Sequence, residues 1–247
     1  MKALGIDVGG SGIKGAVVDT RTGRLVSERF RVPTPEPSTP RAVGVAMARI
    51  IHHFEWHGPV GCGLPGPIKG GRLVTMNNLH KGWVGLSAAD ALSKACGQRV
   101  TVLNDADAAG LAEMKFGAGR KERGVVLMLT VGTGIGSALF VDGVLFPNAE
   151  LGSLDIRGKR AEVRASAKVK TEKSLSWRAW AKRFGEFLSA VETILLPDLI
   201  VIGGGISKRS KKFMPKLKTR ARLVPAQLQN EAGIIGAAIA AARLARR

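Results

Sequence analysis

Apolar residues along this chain come in short blocks cut by glycine and proline, with a spacing that switches between strand-like runs and helical recurrence. Two runs, 3 to 8 and 13 to 19, flank Gly9-Gly10-Ser11-Gly12, and a third covers 24 to 32 after the turn Thr20-Arg21-Thr22-Gly23. Runs of this length between glycine turns predict a three-stranded antiparallel meander. Pro33, Pro35, Pro37 and Pro40 mark a loop. From 41 to 55, Val43, Met47, Ile50, Ile51 and Phe54 recur at helical spacing, which predicts a helix with one face on the sheet. Val60 to Leu64 predicts a short strand leading into Pro65-Gly66-Pro67. Ser87, with Asp90 three residues on, opens a helix that Gly97 closes. Val100 to Leu103 then predicts a strand delivering Asn104 and Asp105 at its end, and Ala106 to Phe116 a helix.

The plan restarts in the second half. Apolar 125 to 130, Gly132-Thr133-Gly134, apolar 135 to 141, an Asp142-Gly143 hairpin turn and apolar 144 to 146 repeat the opening meander. A long helix near 175 to 196, a strand at 199 to 202, Gly203-Gly204-Gly205 and an Ala-rich helix from 231 follow. A repeat about half a chain apart implies an α/β protein of two related lobes with a cleft between them. The division expected is 1–115 and 116–247, with the last helix able to pack back on the N-terminal lobe.

With 247 residues and 45% hydrophobic content the chain can bury a sizeable core. No long uncharged apolar run suggests a membrane span, and the first residues carry no signal-peptide pattern, so a cytoplasmic protein is expected. Cys62 and Cys96 stand apart from each other and from any Cys-x-x-Cys or His pair, which predicts free thiols and neither a disulfide framework nor a zinc site. Charge changes the picture more. The chain has 38 basic and 19 acidic residues, and residues 156 to 247 alone carry 21 basic against 6 acidic. Such asymmetry implies a polyanionic substrate or partner for the C-terminal part.

Three segments carry candidate chemistry. In Asp7-Val8-Gly9-Gly10-Ser11-Gly12-Ile13-Lys14, glycines let backbone N–H groups approach phosphate oxygens, Ser11 can donate, Lys14 supplies charge and Asp7 can hold magnesium through water. Gly132-Thr133-Gly134 offers the same from the second lobe, although either loop alone can be just a turn. In Asn104-Asp105-Ala106-Asp107, a carboxylate at a strand end can accept the proton of an attacking hydroxyl while Asn104 orients the alcohol. Asp105 or Asp107 can equally be the cap of the following helix.

These segments, with Gly63-Leu64-Pro65-Gly66-Pro67, Asn77-Asn78-Leu79, Glu150-Leu151-Gly152 and Gly203-Gly204-Gly205-Ile206-Ser207, together resemble the ROK family of sugar kinases, in order and over nearly the whole chain. Lys81-Gly82-Trp83 and Glu162 to Ala167 look most like its polyphosphate-using glucokinases. The resemblance implies two ribonuclease-H-like lobes of the actin-like ATPase superfamily and transfer of a phosphoryl group, with magnesium, to the 6-hydroxyl of a hexose. It makes Asp105 the base, with Asn77, Asn78, Asn104, Glu150 and Glu162 on the sugar and the Pro65-Gly66 loop over the ring. Asp7, Gly9, Gly10, Ser11, Lys14, Gly132, Thr133 and Gly134 would line the phosphates, and Gly204-Gly205 would lie where a nucleotide or polyphosphate passes. In the family's Glu-x-Gly-His motif this chain has Ser153 for the histidine, which puts sugar affinity or specificity in question. The cysteine cluster that holds zinc in many members is missing, so no zinc is expected.

Lys208, Arg209, Lys211, Lys212, Lys216, Lys218, Arg220 and Arg222 fall within 15 residues without an acid. Such a run is ordinarily a solvated face. Directly after the third glycine loop it is also a track for polyphosphate, which predicts polyphosphate as preferred donor, ATP as a secondary one, and nucleic acid as a nonspecific ligand only, the alternatives being a strictly ATP-dependent hexokinase of the family or a noncatalytic relative that binds polyanions or nucleic acid. Relatives form dimers, and the helix with Trp177, Trp180, Phe184, Phe187 and Leu188 offers either an interface for a homodimer or an ordinary core-facing side.

Overall fold

The chain, in this computed structural model, is described for residues 1–75 and 79–245. The expected sugar contacts Asn77 and Asn78 lie outside the described residues. The first half runs β1 (Lys2–Val8), β2 (Ile13–Asp19), β3 (Arg24–Leu25), β4 (Phe30–Val32), α1 (Pro40–His53), β5 (Val60–Leu64), β6 (Ile68–Lys69), β7 (Arg72–Leu73), α2 (Ala88–Cys96), β8 (Val100–Asn104) and α3 (Asp105–Phe116). The second runs β9 (Val125–Val131), β10 (Ile135–Val141), β11 (Val144–Phe146), α4 (Ala161–Ala165), α5 (Ala167–Glu172), α6 (Trp177–Leu195), β12 (Leu199–Gly203), α7 (Ser210–Phe213), β13 (Arg222–Pro225) and α8 (Ala232–Leu244).

The chain divides into two compact units, residues 1–112 with 231–247, and residues 113–230. The second unit begins three residues before the expected position because Glu113 belongs to it. The buried Glu113 carboxylate accepts from Ala118 N at 2.8 Å, Leu228 N at 2.7 Å and Gln227 N at 3.2 Å. A carboxylate satisfied by three amides locks those segments together.

In the first unit the sheet order is β3-β2-β1-β5-β8, with β4 also on β2. β1 pairs antiparallel with β2 and parallel with β5, and β5 parallel with β8. Ala3, Leu4, Ile6 and Val8 of β1 are buried because both faces are covered. Gly15 of β2 faces Ile50 of α1, whereas Gly5 of β1 faces the backbone of α8. The third apolar run is broken rather than continuous. The Ser27 hydroxyl accepts from Val17 N at 3.0 Å, taking a donor that the ladder would use, so pairing stops after Leu25 and resumes at Phe30.

In the second unit the order is β11-β10-β9-β12-β13 with the same antiparallel and parallel pairings. Both units therefore have the ribonuclease-H-like plan. Each has its own apolar core. α6 turns its aromatics inward: Trp180 stacks on Phe184 at 4.9 Å and meets Phe213 edge-on at 5.0 Å, and all three are fully buried. Pairs of this kind contribute about 0.5–1.5 kcal/mol beyond their area. Trp180, Phe184, Phe187 and Leu188 are thus core and not an exposed interface.

Cys62 is buried and its thiol is pushed well up by burial, then by Cys96 and Asp7; Cys96 is half-buried, and burial pushes it up to about 11. Both remain thiols at neutral pH. Among the described residues no helix is long and apolar enough to cross a membrane, and no three His, Cys, Asp or Glu side chains cluster as a metal site.

Candidate active site

In the first unit the functional candidates lie where parallel strands end. Asp7, Gly63 and Leu103 occupy one row across β1, β5 and β8. That row spans two strand spacings, roughly 10 Å. The hairpin after Val8, the Pro65-Gly66 loop after Leu64, and Asn104-Asp105 after Leu103 consequently emerge from one sheet edge. Gly66 has φ +145°, and a β-carbon there would meet the Thr75 carbonyl oxygen at 2.6 Å, so this loop requires glycine.

The end of β8 separates capping from chemistry. Asn104 Oδ1 accepts from Asp107 N at 3.0 Å, the bond of an N-cap to its third helical residue. Asn104 is buried, and its amide nitrogen keeps donor capacity. Asp105 opens α3, is half-buried, and accepts from Ala106 N at 2.8 Å through Oδ1. The cap that Asp105 or Asp107 was a candidate to supply is supplied by Asn104.

At the opening hairpin Gly9 N donates to Gly12 O at 3.1 Å, closing the turn. The Gly9 carbonyl is held from outside by Thr34 Oγ1 at 2.5 Å. Amides of Gly10, Ser11 and Gly12 donate to no acceptor among the described residues. Successive unengaged N–H groups make an anion-binding concavity. Burial raises the Asp7 carboxyl above the ordinary carboxylate range, against the lowering effect of Lys14, its cross-strand partner. Gly233 in the first turn of α8 lies against it, with a β-carbon there only 3.2 Å from Asp7 Cγ. The Asp7 carboxylate, next to the amides of the hairpin, is the oxygen ligand this site offers to a hydrated magnesium ion.

In the second unit two glycine turns leave neighbouring parallel strands: Gly203 of β12 pairs with Thr130 of β9. Gly132 N donates to Gly134 O at 3.0 Å, and Lys168 N at the start of α5 donates to Gly132 O at 3.1 Å. Gly204 has φ +74° and presses on Val131, while its carbonyl accepts from Ser207 Oγ at 2.8 Å. Glu162 stands over the first turn: a β-carbon on Gly134 would be 2.6 Å from Glu162 Oε2. Arg160 Nη1 is 3.1 Å from Glu162 Oε1. Partial burial and then the Glu162 carboxylate push the Glu150 carboxyl up. Ser137 of β10 pins Glu150 from both sides, its hydroxyl donating to Ala149 O and accepting from Leu151 N at 2.9 Å. Ser153 is exposed, and its N–H donates to Glu150 O at 3.1 Å.

The basic run is not a helix face. It is broken into a 3-10 turn (Gly205–Arg209), α7 and a second turn (Met214–Lys216), anchored by buried Phe213. Lys208, Arg209, Lys211, Lys212 and Lys216 are all exposed, and none has a carboxylate partner among the described residues. Neither Thr34 nor Ser137 lies in one of the sequence motifs; only the pairing of β4 with β2, which brings Thr34 to the hairpin, exposes its part.

Two ribonuclease-H-like units with glycine turns at their strand ends define the actin-like ATPase superfamily. Within it, residues 3–150 match the ROK family, and the chain belongs to that family. It is 48% identical over 238 residues to the polyphosphate glucokinase of Mycobacterium tuberculosis, covering 96% of this chain and 90% of that protein. It superposes with a TM-score of 0.95 on the inorganic polyphosphate/ATP-glucomannokinase of Arthrobacter sp. strain KM, at 46% identity and covering 98% of this chain and 99% of that one. A ROK family glucokinase from Streptomyces griseus shares the fold at a TM-score of 0.83 and 24% identity, over 98% of this chain and all (100%) of that one.

Proposed function

We propose that this chain transfers a phosphoryl group to the 6-hydroxyl of glucose or a related hexose, with inorganic polyphosphate as the preferred donor and ATP as a secondary one. The observation that carries the reading is the end of β8, where Asn104 takes the capping role and Asp105 stands beside it at the edge that bears the Gly9–Gly12 hairpin. Kinship with proteins named polyphosphate glucokinase and polyphosphate/ATP-glucomannokinase supports the substrates.

In this mechanism the Asp105 carboxylate accepts the 6-hydroxyl proton as the sugar oxygen bonds to the terminal phosphorus and the bond to the next phosphate breaks. Asn104 donates to a sugar hydroxyl through its amide, and Glu150 and Glu162 accept from others, with Asn77 and Asn78 as further contacts. Amides of Gly10 and Ser11, with Lys14, take the donor phosphates, and so do the turns at Gly132-Thr133-Gly134 and Gly204-Gly205. Magnesium, held through water by Asp7, would neutralise charge on the phosphates. Ser153 offers a short hydroxyl where the family has histidine, which weakens the hold on the sugar and broadens the hexoses accepted. Exposed cations from Lys208 to Lys216 attract a chain bearing about one charge per phosphate.

The test is glucose 6-phosphate formation with magnesium and either long-chain polyphosphate or ATP, beside Asp105→Asn. Product from polyphosphate exceeding that from ATP, and lost in the variant, is expected. Equal turnover by Asp105→Asn would overturn the base, and turnover with ATP alone would overturn the donor.

A further inference from the structure

Asp7, Lys14 and Arg31 stand in one row across three strands, since Lys14 pairs with Asp7 on β1 and with Arg31 on β4. Residues directly opposed in antiparallel strands project to the same face. Arg31 is therefore a second cation beside Lys14, although 17 positions separate them in the chain. Its guanidinium lies against the hairpin itself: a β-carbon on Gly12 would collide with Arg31 Nε, Nη2 and Cζ. Nη2 donates to Ser11 O at 2.7 Å.

That bond completes a pattern. Three of the four carbonyls from Gly9 to Gly12 are engaged: Gly9 O by Thr34, Ser11 O by Arg31, and Gly12 O by Gly9 N. The amides of Gly10, Ser11 and Gly12 are not. The loop thus has most of its acceptors withdrawn and its donors presented. Arg31 is exposed and has no carboxylate partner among the described residues, so its charge is open to an anion at the hairpin. A guanidinium has five N–H donors in a planar fork, and the bond to Ser11 uses one.

We propose that Arg31 binds the phosphoryl donor, its remaining N–H groups contacting the phosphates held by the Gly9–Gly12 hairpin while Nη2 keeps the turn in its donor-presenting shape. This rests on reading the hairpin as the donor-phosphate site. Because it acts on the phosphates next to the transferred group, which both donors possess, Arg31 serves polyphosphate and ATP alike. The Lys208–Lys216 run, in contrast, would favour the longer polyanion.

The experiment compares the parent with Arg31→Gln and Arg31→Lys in steady-state assays with polyphosphate and with ATP, together with calorimetric titration of magnesium tripolyphosphate. Arg31→Gln is expected to raise KM for both donors about ten- to a hundredfold, the scale of one charged hydrogen bond. Its KM for glucose should stay unchanged, and Arg31→Lys should recover part of the loss. An unchanged donor KM in an active Arg31→Gln enzyme overturns the role of Arg31 and leaves the proposed reaction standing, as does a loss shared equally by glucose and donor. If the parent makes no product with either donor, the proposed reaction fails. Tripolyphosphate titration then decides separately: weaker binding by Arg31→Gln supports Arg31, and equal binding overturns it. Should Arg31→Gln not fold, Arg31→Lys carries the comparison, with an unaltered donor KM and tripolyphosphate affinity as the overturning result.

Discussion

Gly61 of β5 sits directly under the carbonyl of Ala237 in α8, so close that a β-carbon on Gly61 would overlap that oxygen. Gly5 meets Ile234 O in the same way, and Gly236 of the helix meets Ala108 O. α8 is seated backbone to backbone on the sheet and on α3, with small residues at each contact. Gly61→Ala should therefore cost about 1–3 kcal/mol or more, as overpacking of a tight core does. Thermal unfolding measures it, and a melting temperature equal to the parent's would contradict the close seating.

Burial raises the Asp7 carboxyl although Lys14 opposes the shift. Native protein then holds this proton more tightly than unfolded chain, so stability is lost as pH rises through the native pKa. Asp7→Asn is neutral throughout. It should melt above the parent at neutral pH, with the gap closing once the pH falls below about 4, where the carboxyl is protonated in both states. Phosphoryl transfer should fall in the same variant, stability being gained at the expense of the proposed magnesium ligand. Melting curves from neutral pH down to the acid limit test the sign; a gap that widens on acidification would refute it.

Exposed cations without carboxylate partners lose only long-range attraction when reversed. Changing Lys208, Lys211 and Lys212 together to glutamate should raise the KM for long-chain polyphosphate at least about tenfold, the effect of a strong field on a polyanion, and should flatten its salt dependence. The KM for ATP should move far less. Equal shifts for the two donors would remove the track from the account.

Glycine turns between apolar runs made the β1–β2 and β9–β10 hairpins legible, because a turn with no side chain between two strands has few alternatives; the parallel pairing of the strands beside them came only with the family resemblance. The strand delivering Asn104 and Asp105 was equally plain, but which residue caps the helix was not: Asp105 and Asp107 were the candidates, and the bond from Asp107 N to Asn104 Oδ1 gives the role to neither. Arg31 was illegible because its meaning lies in the pairing with Lys14, a register that depends on Ser27 interrupting the ladder. Glu113 looks like any helical acid in sequence, yet its carboxylate is enclosed by amides from a segment more than a hundred positions away. Charge in the 208–222 run was visible, whereas its division into short turns depends on Phe213 reaching the aromatic cluster on α6.

α8 belongs to the unit that begins the chain, yet it is made after the whole of the other unit. On the ribosome, β1, β5 and β8 would emerge with one apolar face bare and wait through the synthesis of more than a hundred further residues for their cover. The second unit, continuous from 113 to 230, can close first. The cover for β1, β5 and β8 is therefore made only after the second unit is complete, which leaves their apolar face open throughout its synthesis.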